Sequence, residues 1–202
     1  MKAIIFDVDG TLIESMAVDT ELYFAAVNEV LGPVRIRKNL SDYDNVSDSG
    51  ILAQILADNG MASDTAAADA TRSVFVESVA RHIESAGPFP AIDGALQFFE
   101  EARKADNIRV AVATGGWRKS ALLKLSSAGF DVDGLPLATS DDSPSRVGIM
   151  QCALAGIGEN VTAVTYYGDA EWDKRACQRL GWNFVAVGPD LGGIESYAGM
   201  EP

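Results

Sequence analysis

The sequence predicts an α/β protein with a doubly wound parallel sheet and a small α-helical domain inserted after the first strand. The first observation is an isolated apolar segment at residues 2–6, followed by a mostly helical stretch that continues to about residue 86. The second is the alternation of short apolar segments with helical patterns from about residue 91 onward. These later strands are rich in Val, Ala and Ile and apolar on both faces, which is typical of a parallel sheet covered by helices on each side.

Hydrophobic periodicity and turn residues place each element along the chain. The predicted strands span residues 2–6, 108–113, 135–139, 162–167 and 183–187. The predicted helices span residues 16–31, 49–59, 64–85, 93–105, 117–128, 145–155 and 171–180. We therefore predict an α/β core formed by residues 1–14 and 88–202 and a helical cap domain formed by residues 15–87, with hinges near Glu14-Ser15 and Gly87-Pro88.

Composition limits the classes of partner. The 202 residues carry 29 acidic and 16 basic side chains, a net charge of −13, which argues against binding to nucleic acid or to an anionic membrane surface. No run approaches 18 apolar residues and the N-terminus lacks a signal-peptide pattern, so we expect a cytoplasmic protein. An acidic protein that binds phosphate needs local positive charge, and a divalent cation held by carboxylates supplies it.

The most informative residues are Asp7 and Asp9, which stand where the first strand ends. Alternate side chains of an extended chain share a face about 6.6 Å apart, so both carboxylates can converge on one ion or one reacting group. Gly10 permits a sharp turn around that point. A simple strand-ending turn would use the same residue types. A calcium-binding loop is excluded, because its fifth and twelfth positions would be Thr11 and Val18.

Two later strands end in polar residues that suit the same site. Thr114 and Gly115 precede a predicted helix, where a hydroxyl and backbone amides favour an anion, although a helix cap and a tight turn would look the same. Asp169 ends the fourth strand and Asp173 lies one helical turn later, a spacing that also fits an N-cap and a first-turn acid. Ligands of such sheets bind outside the carboxyl ends of the strands, so we expect these residues to meet.

Three motifs, in this order, resemble those of the haloacid dehalogenase superfamily. They are Asp7-Val8-Asp9-Gly10-Thr11, Thr114-Gly115-Gly116, and Gly168-Asp169 with Asp173 four residues later. They look like the first, second and fourth motifs of that superfamily, they span almost the whole chain, and the helical insertion matches its subgroup with a helical cap. The resemblance implies a Rossmann-like core. It points to the phosphatase and phosphomutase branches, because dehalogenase members lack the second aspartate.

One motif departs from the family pattern. The third motif normally supplies a Lys that steadies the nucleophile and the phosphoryl oxygens, but here the region around Asp141 and Asp142 offers only Arg146 as a cation. A guanidinium is always charged and binds two oxygens through a planar fork, so we assign Arg146 to the phosphoryl group. The alternative is that Arg146 pairs with Asp141 or Asp142 and leaves the site without its cation.

The resemblance implies a mechanism for a magnesium-dependent phosphatase of a small phosphorylated metabolite. Asp7 would attack phosphorus and form an aspartyl phosphate, and Asp9 would act first as acid and then as base. The implied Mg²⁺ ligands are Asp7, the backbone carbonyl of Asp9, Asp169 and, in support, Asp173. The remaining phosphoryl oxygens would be bound by Thr114, the Gly115 amide and Arg146.

Two other functions remain open at this point. A sugar phosphomutase would use the same core but would need extra acid or base groups in the cap. A catalytically weak binding or regulatory protein is favoured by the missing lysine. Whichever function applies, we expect the protein to be a monomer or a homodimer.

Overall fold

Five parallel strands form one sheet at the centre of the computed structural model, which describes residues 1–158 and 160–202. The strands are β1 (Lys2–Phe6), β2 (Ile108–Ala113), β3 (Leu137–Ala138), β4 (Ala163–Gly168) and β5 (Asn183–Ala186). Their order across the sheet is β3-β2-β1-β4-β5, so the first strand of the chain lies in the middle. All four strand pairs are parallel, which confirms the predicted fold class.

The described part of the chain forms seven α-helices. They are α1 (Met16–Leu31), α2 (Asp48–Asp58), α3 (Thr65–Ala86), α4 (Ala95–Lys104), α5 (Arg118–Ser127), α6 (Arg146–Ile157) and α7 (Glu171–Leu180). Their ends lie within two residues of the predicted ones. The strand β3 is shorter than predicted, because it is an edge strand that follows Pro136, which has no amide hydrogen to donate. No helix within the described ranges is both long and apolar enough to cross a membrane.

The central strand β1 is buried on both faces. Ile4 and Phe6 belong to one hydrophobic cluster, in which the Phe6 ring meets the ring of Phe98 on α4 edge-on with centroids 6.1 Å apart. Ile5 points to the other face and belongs to a second cluster with Ile149 of α6. Because packing on both sides fixes β1, its carboxyl end is a rigid platform.

The carboxyl ends of three strands lie side by side. Phe6, the last residue of β1, is in register with Val112 of β2 and with Tyr167 of β4. The next amide along β1, that of Asp7, donates to the Tyr167 carbonyl at 2.9 Å, and the amide of Thr114 donates to the Ala138 carbonyl at 3.0 Å. The residues that follow β1, β2 and β4 therefore emerge at one edge of the sheet.

Helices α1, α2 and α3 follow β1 in the sequence and precede α4. They pack against the loop that follows β2. The fully buried ring of Trp117 lies 5.5 Å from the ring of Tyr23 on α1 and 5.6 Å from that of Phe75 on α3. The amide of Asp48, the first residue of α2, donates to the Gly115 carbonyl at 2.8 Å. These contacts place the helices beside the carboxyl edge of the sheet. The assignment of residues 15–87 to a separate cap domain stays a prediction.

Candidate active site

The chain makes one tight turn directly after β1. The Val8 carbonyl accepts hydrogen bonds from the three amides of residues 11–13, at 2.9–3.2 Å. Gly10 has a φ of +75°, and a Cβ atom at this position would lie only 2.2 Å from Oδ2 of Asp169. Glycine suits this position for two reasons, the left-handed backbone and the close approach of the Asp169 side chain.

Three carboxylates converge at this edge of the sheet. Asp7, Asp169 and Asp173 each offer one oxygen, and these oxygens all lie within 4.8 Å of one another. Asp7 and Asp173 are buried, and Asp169 is half-buried. The carboxylate of Asp9 does not belong to this group within the described residues. The structure thus brings together three of the four acidic residues that the sequence assigned to one site.

The chemistry of this cluster suits a hard divalent cation. Both carboxylate oxygens of Asp173 are buried without a hydrogen-bond partner in the described part of the chain. Burial, together with the charges of neighbouring carboxylates, raises the pKa of Asp169 to about 8 and that of Asp173 to about 7. A cation bound among the three carboxylates would favour their ionised forms, and oxygen atoms are the ligands that Mg²⁺ prefers.

Arg146, the first residue of α6, lies next to this cluster. Its Nη1 atom is 3.3 Å from Oδ1 of Asp7, and its Nε atom is 3.0 Å from Oδ1 of Asp173, although the latter contact lacks hydrogen-bond geometry. Only 10% of the side chain is exposed. Burial lowers the pKa of Arg146, but the charges of Asp173 and Asp7 outweigh this effect and raise it. The guanidinium therefore stays charged beside Asp7.

The acidic residues near Arg146 in sequence have other partners. Asp141 lies 3.1 Å from a guanidinium nitrogen of Arg72, and Asp142 lies 2.7 Å from one of Arg118. The alternative in which Arg146 is drawn away from the site by Asp141 or Asp142 does not occur in this structure.

The loop after β2 forms the opposite wall of the site. The buried Oγ1 atom of Thr114 accepts a hydrogen bond from the Gly116 amide at 3.2 Å, which closes a tight turn, whereas the N-cap of α5 is Trp117. A Cβ atom at Gly115 would lie 2.9 Å from Nη2 of Arg146. The glycine thus makes room for the guanidinium, and the predicted phosphoryl ligands Thr114, Gly115 and Arg146 lie together.

Sequence reasoning missed a buried cation, Lys124 on α5. Its side chain is 1% exposed, and Nζ lies 2.5 Å from Oδ1 of Asp9 and 2.5 Å from Oδ1 of Asp19. Burial lowers the pKa of Lys124, but Asp19 and Asp9 outweigh that effect and raise it. Ser15 also donates to Oδ1 of Asp9 instead of capping α1. No local sequence signal marks Lys124, because its two partners come from other segments of the chain.

Asp48 was also missed, because the sequence pattern placed it at the end of a polar loop, whereas it is the first residue of α2. Its carboxylate accepts the Trp117 amide at 2.8 Å, while its backbone carbonyl accepts the Tyr23 hydroxyl at 2.7 Å. Burial and the charge of Asp19 raise the pKa of Asp48 well above its ordinary value. Asp48 fastens α2 to the wall of the site.

A pocket of about 70 Å³ lies at the site, between the sheet edge and helices α1 and α2. This volume is several times the roughly 10–15 Å³ that is needed to hold one water molecule, so the pocket can admit solvent or a small ligand group. Among the residues that the structure describes, five carboxylates and one guanidinium line the pocket: Asp7, Asp9, Asp19, Asp48, Asp169 and Arg146. An anion entering it therefore needs a further positive charge.

Comparison with known proteins identifies the family. The model of the haloacid dehalogenase-like hydrolase family matches residues 1–181. The chain belongs to the haloacid dehalogenase-like hydrolases. This finding confirms the resemblance that the three motifs indicated. Hydrolases of this family generally use Mg²⁺, and the three-carboxylate cluster is a site that could hold it. No curated protein matches the chain at a significant level.

Several solved structures share the fold. A hydrolase from Pseudomonas syringae is 21% identical, with a TM-score of 0.72, and the match covers 93% of this chain and 84% of that one. CbbY from Rhodobacter sphaeroides, solved in complex with phosphate, is 23% identical, with a TM-score of 0.70 and coverage of 98% and 91%. A β-phosphoglucomutase from Clostridium difficile is 16% identical, with a TM-score of 0.71 and coverage of 93% and 85%. At these identities the likeness concerns the fold.

Proposed function

We propose that this hydrolase is a magnesium-dependent phosphatase that acts on a small phosphomonoester through an aspartyl-phosphate intermediate. The observation that carries the proposal is the position of Asp7, which lies beside the carboxylates of Asp169 and Asp173 and also contacts the guanidinium of Arg146. A nucleophilic carboxylate, a cation site and an anion-binding cation thus share one small pocket.

The residues of this chain divide the reaction into two displacements. In the first, a carboxylate oxygen of Asp7 forms a bond to phosphorus while the bond to the leaving oxygen breaks, and Asp9 donates its proton to that oxygen. In the second, Asp9 takes a proton from water, the water oxygen bonds to phosphorus, and the bond to Asp7 breaks. The products are the alcohol and inorganic phosphate, and Asp7 and Asp9 return to their starting states.

The anionic phosphoryl group must be stabilised beside an anionic nucleophile. Arg146 would supply one positive charge, and the Thr114 hydroxyl and the Gly115 amide would donate hydrogen bonds to the remaining oxygens. Bound Mg²⁺, with Asp7, Asp169 and Asp173 as side-chain ligands and the Asp9 carbonyl as a further one, would supply charge neutralisation at the phosphoryl oxygens. The small pocket favours substrates with few atoms beyond the phosphoryl group.

The test is release of inorganic phosphate from a panel of phosphomonoesters by the purified protein, with Mg²⁺ and with a chelator. We expect Mg²⁺-dependent release that falls at least 10³-fold in Asp7→Asn, because the amide is a far weaker nucleophile. Asp106→Asn is the matched control, since Asp106 is exposed and precedes β2, at the opposite edge of the sheet.

Three outcomes would contradict the proposal. Undiminished release of phosphate by Asp7→Asn would rule out Asp7 as the nucleophile. Full activity in the presence of a chelator would rule out the requirement for Mg²⁺. Conversion of glucose 1-phosphate into glucose 6-phosphate without release of phosphate would instead identify a phosphomutase.

A further inference from the structure

Lys124 is a buried cation that the proposed mechanism does not yet use. It lies on the inner face of α5 with 1% of its side chain exposed, and its ammonium group sits between the carboxylates of Asp9 and Asp19, 2.5 Å from each. A buried ammonium is tolerated only when it is paired, and here two separate segments supply the partners. Asp9 follows β1, whereas Asp19 belongs to the first turn of α1.

The two oxygens of Asp9 have different surroundings. Oδ1 accepts from Nζ of Lys124 and from the Ser15 hydroxyl. Oδ2 accepts no hydrogen bond from the described residues, and it lies 3.9 Å from the position that a Cβ atom on Gly116 would occupy. That same position is 3.6 Å from Oγ1 of Thr114, on the wall assigned to the phosphoryl group. Oδ1 of Asp9 is therefore held by hydrogen bonds from Lys124 and Ser15, and Oδ2 faces the pocket.

We propose that Lys124 is a positioning residue for Asp9: anchored by Asp19, it holds Oδ1 so that Oδ2 is the oxygen that exchanges a proton with the leaving group. This inference rests on the proposed phosphatase activity, in which Asp9 is the acid and base. Lys124 does not line the pocket, and it reaches the reaction only through the carboxylate of Asp9. Asp19 acts indirectly, because it fixes the position of the Lys124 ammonium group.

The role predicts a dependence on the leaving group. An alkoxide is a strong base and leaves only when it is protonated, whereas p-nitrophenolate is stable without a proton. A displaced Asp9 should therefore slow hydrolysis of an alkyl phosphate much more than hydrolysis of p-nitrophenyl phosphate. A purely structural role would lower both rates together.

The experiment measures kcat/KM for glycerol 2-phosphate and for p-nitrophenyl phosphate on the same preparation of each variant. The ratio of the two values does not depend on the fraction of protein that is folded and active. We expect the ratio to fall at least tenfold in Lys124→Met and in Asp9→Asn, and to stay within twofold of the wild-type ratio in Lys119→Met. Lys119 is the matched control, since it is exposed on the same helix.

A double variant separates positioning from charge. Lys124→Met/Asp19→Asn removes one positive and one negative charge, which keeps the formal charge of the site and leaves fewer unpaired buried carboxylates than Lys124→Met alone. If Lys124 positions Asp9, the ratio stays low in the double variant. Recovery of the wild-type ratio there, or an unchanged ratio in Lys124→Met, would overturn the inference while the phosphatase activity stands. A wild-type protein that hydrolyses neither ester would overturn both.

Discussion

In the metal-free protein, the free energy of unfolding should fall as the pH rises from about 5 to 8. Burial, with the charges of neighbouring carboxylates, raises the pKa of Asp169 to about 8 and that of Asp173 to about 7, from an ordinary value of 3.8. At a pH between the ordinary pKa of 3.8 and these raised pKa values, the folded chain keeps carboxyl protons that the unfolded chain has released. Stability decreases with pH wherever the folded state binds more protons, so the slope in this window is negative.

The size of the slope follows from the number of retained protons. Asp7, Asp169 and Asp173 share one site and titrate as a unit, so a conservative count is one extra proton in the folded chain. One proton corresponds to about 1.4 kcal/mol per pH unit, or about 2.7 kcal/mol between pH 5 and pH 7. Asp19, whose pKa is raised by burial to about 6, contributes in the same direction. The loss is large against a typical stability of about 5–15 kcal/mol.

Ion pairs on the surface do not obscure this slope. The pKa of Asp58 is lowered by a hydrogen bond from Arg37, and that of Asp131 by the Asp133 amide. A lowered pKa contributes stability that is present above the unfolded value and is lost only as the pH falls below about 4. Their effect thus lies outside the pH window of the experiment.

The assay is urea unfolding at pH 5, 6, 7 and 8 with a chelator, for the wild-type protein, Asp169→Asn and the control Asp106→Asn. We expect a negative slope in the wild-type protein and the control, and a shallower one in Asp169→Asn. Saturating Mg²⁺ should stabilise the wild-type protein most at high pH, because the metal requires ionised carboxylates. A flat wild-type profile with a chelator, or the full slope in Asp169→Asn, would refute the acidic cluster as its cause.

Three further predictions concern single residues. Gly10→Ala should lower the free energy of unfolding by about 1–3 kcal/mol more than the control Gly60→Ala does, because Gly60 has a similar φ but open space around it. The two losses are compared by thermal unfolding. Equal losses would exclude the clash with Asp169. Trp117→Ala should lower the free energy of unfolding in urea by about 3–5 kcal/mol, because it removes the ring that packs against both Tyr23 and Phe75. A loss below about 1 kcal/mol would contradict this packing. Arg146→Lys should lower kcat/KM about 10–100-fold, since one ammonium group cannot replace a guanidinium that faces the two carboxylates of Asp7 and Asp173. Unchanged kinetics would contradict the assignment of Arg146 to the phosphoryl group.

The fold could be predicted from the sequence because local patterns and global topology agree. The strands carry near-continuous apolar runs, the helices carry caps such as Ser47 and Asp64, and each segment suits its final state. The convergence of Asp7 with Asp169 also followed from sequence, because the carboxyl ends of neighbouring parallel strands must lie at one edge. The short length of β3 did not follow, since strand length at an edge depends on pairing partners.

The parts of the site that escaped prediction depend on contacts between distant segments. Lysine in an amphipathic helix normally marks the exposed face, so Lys124 gains its meaning only from Asp9 and Asp19, which come from two other segments. Asp48 similarly contacts Trp117 across 69 residues of sequence. Neither pair has a local signature, because nothing in the spacing of either residue requires the partner.

The negative charge of the chain and the proposed chemistry are connected through this pocket. Both cations near the reacting residues are already engaged by carboxylates: Lys124 by Asp9 and Asp19, and Arg146 by Asp7 and Asp173. A phosphoryl group that entered the metal-free pocket would compete for Arg146 against carboxylates that are already paired with it. A divalent ion among Asp7, Asp169 and Asp173 would offset those negative charges and free Arg146 for the phosphoryl oxygens. The excess of carboxylates that disfavours anion binding in the metal-free state is, on this argument, what makes binding depend on the metal.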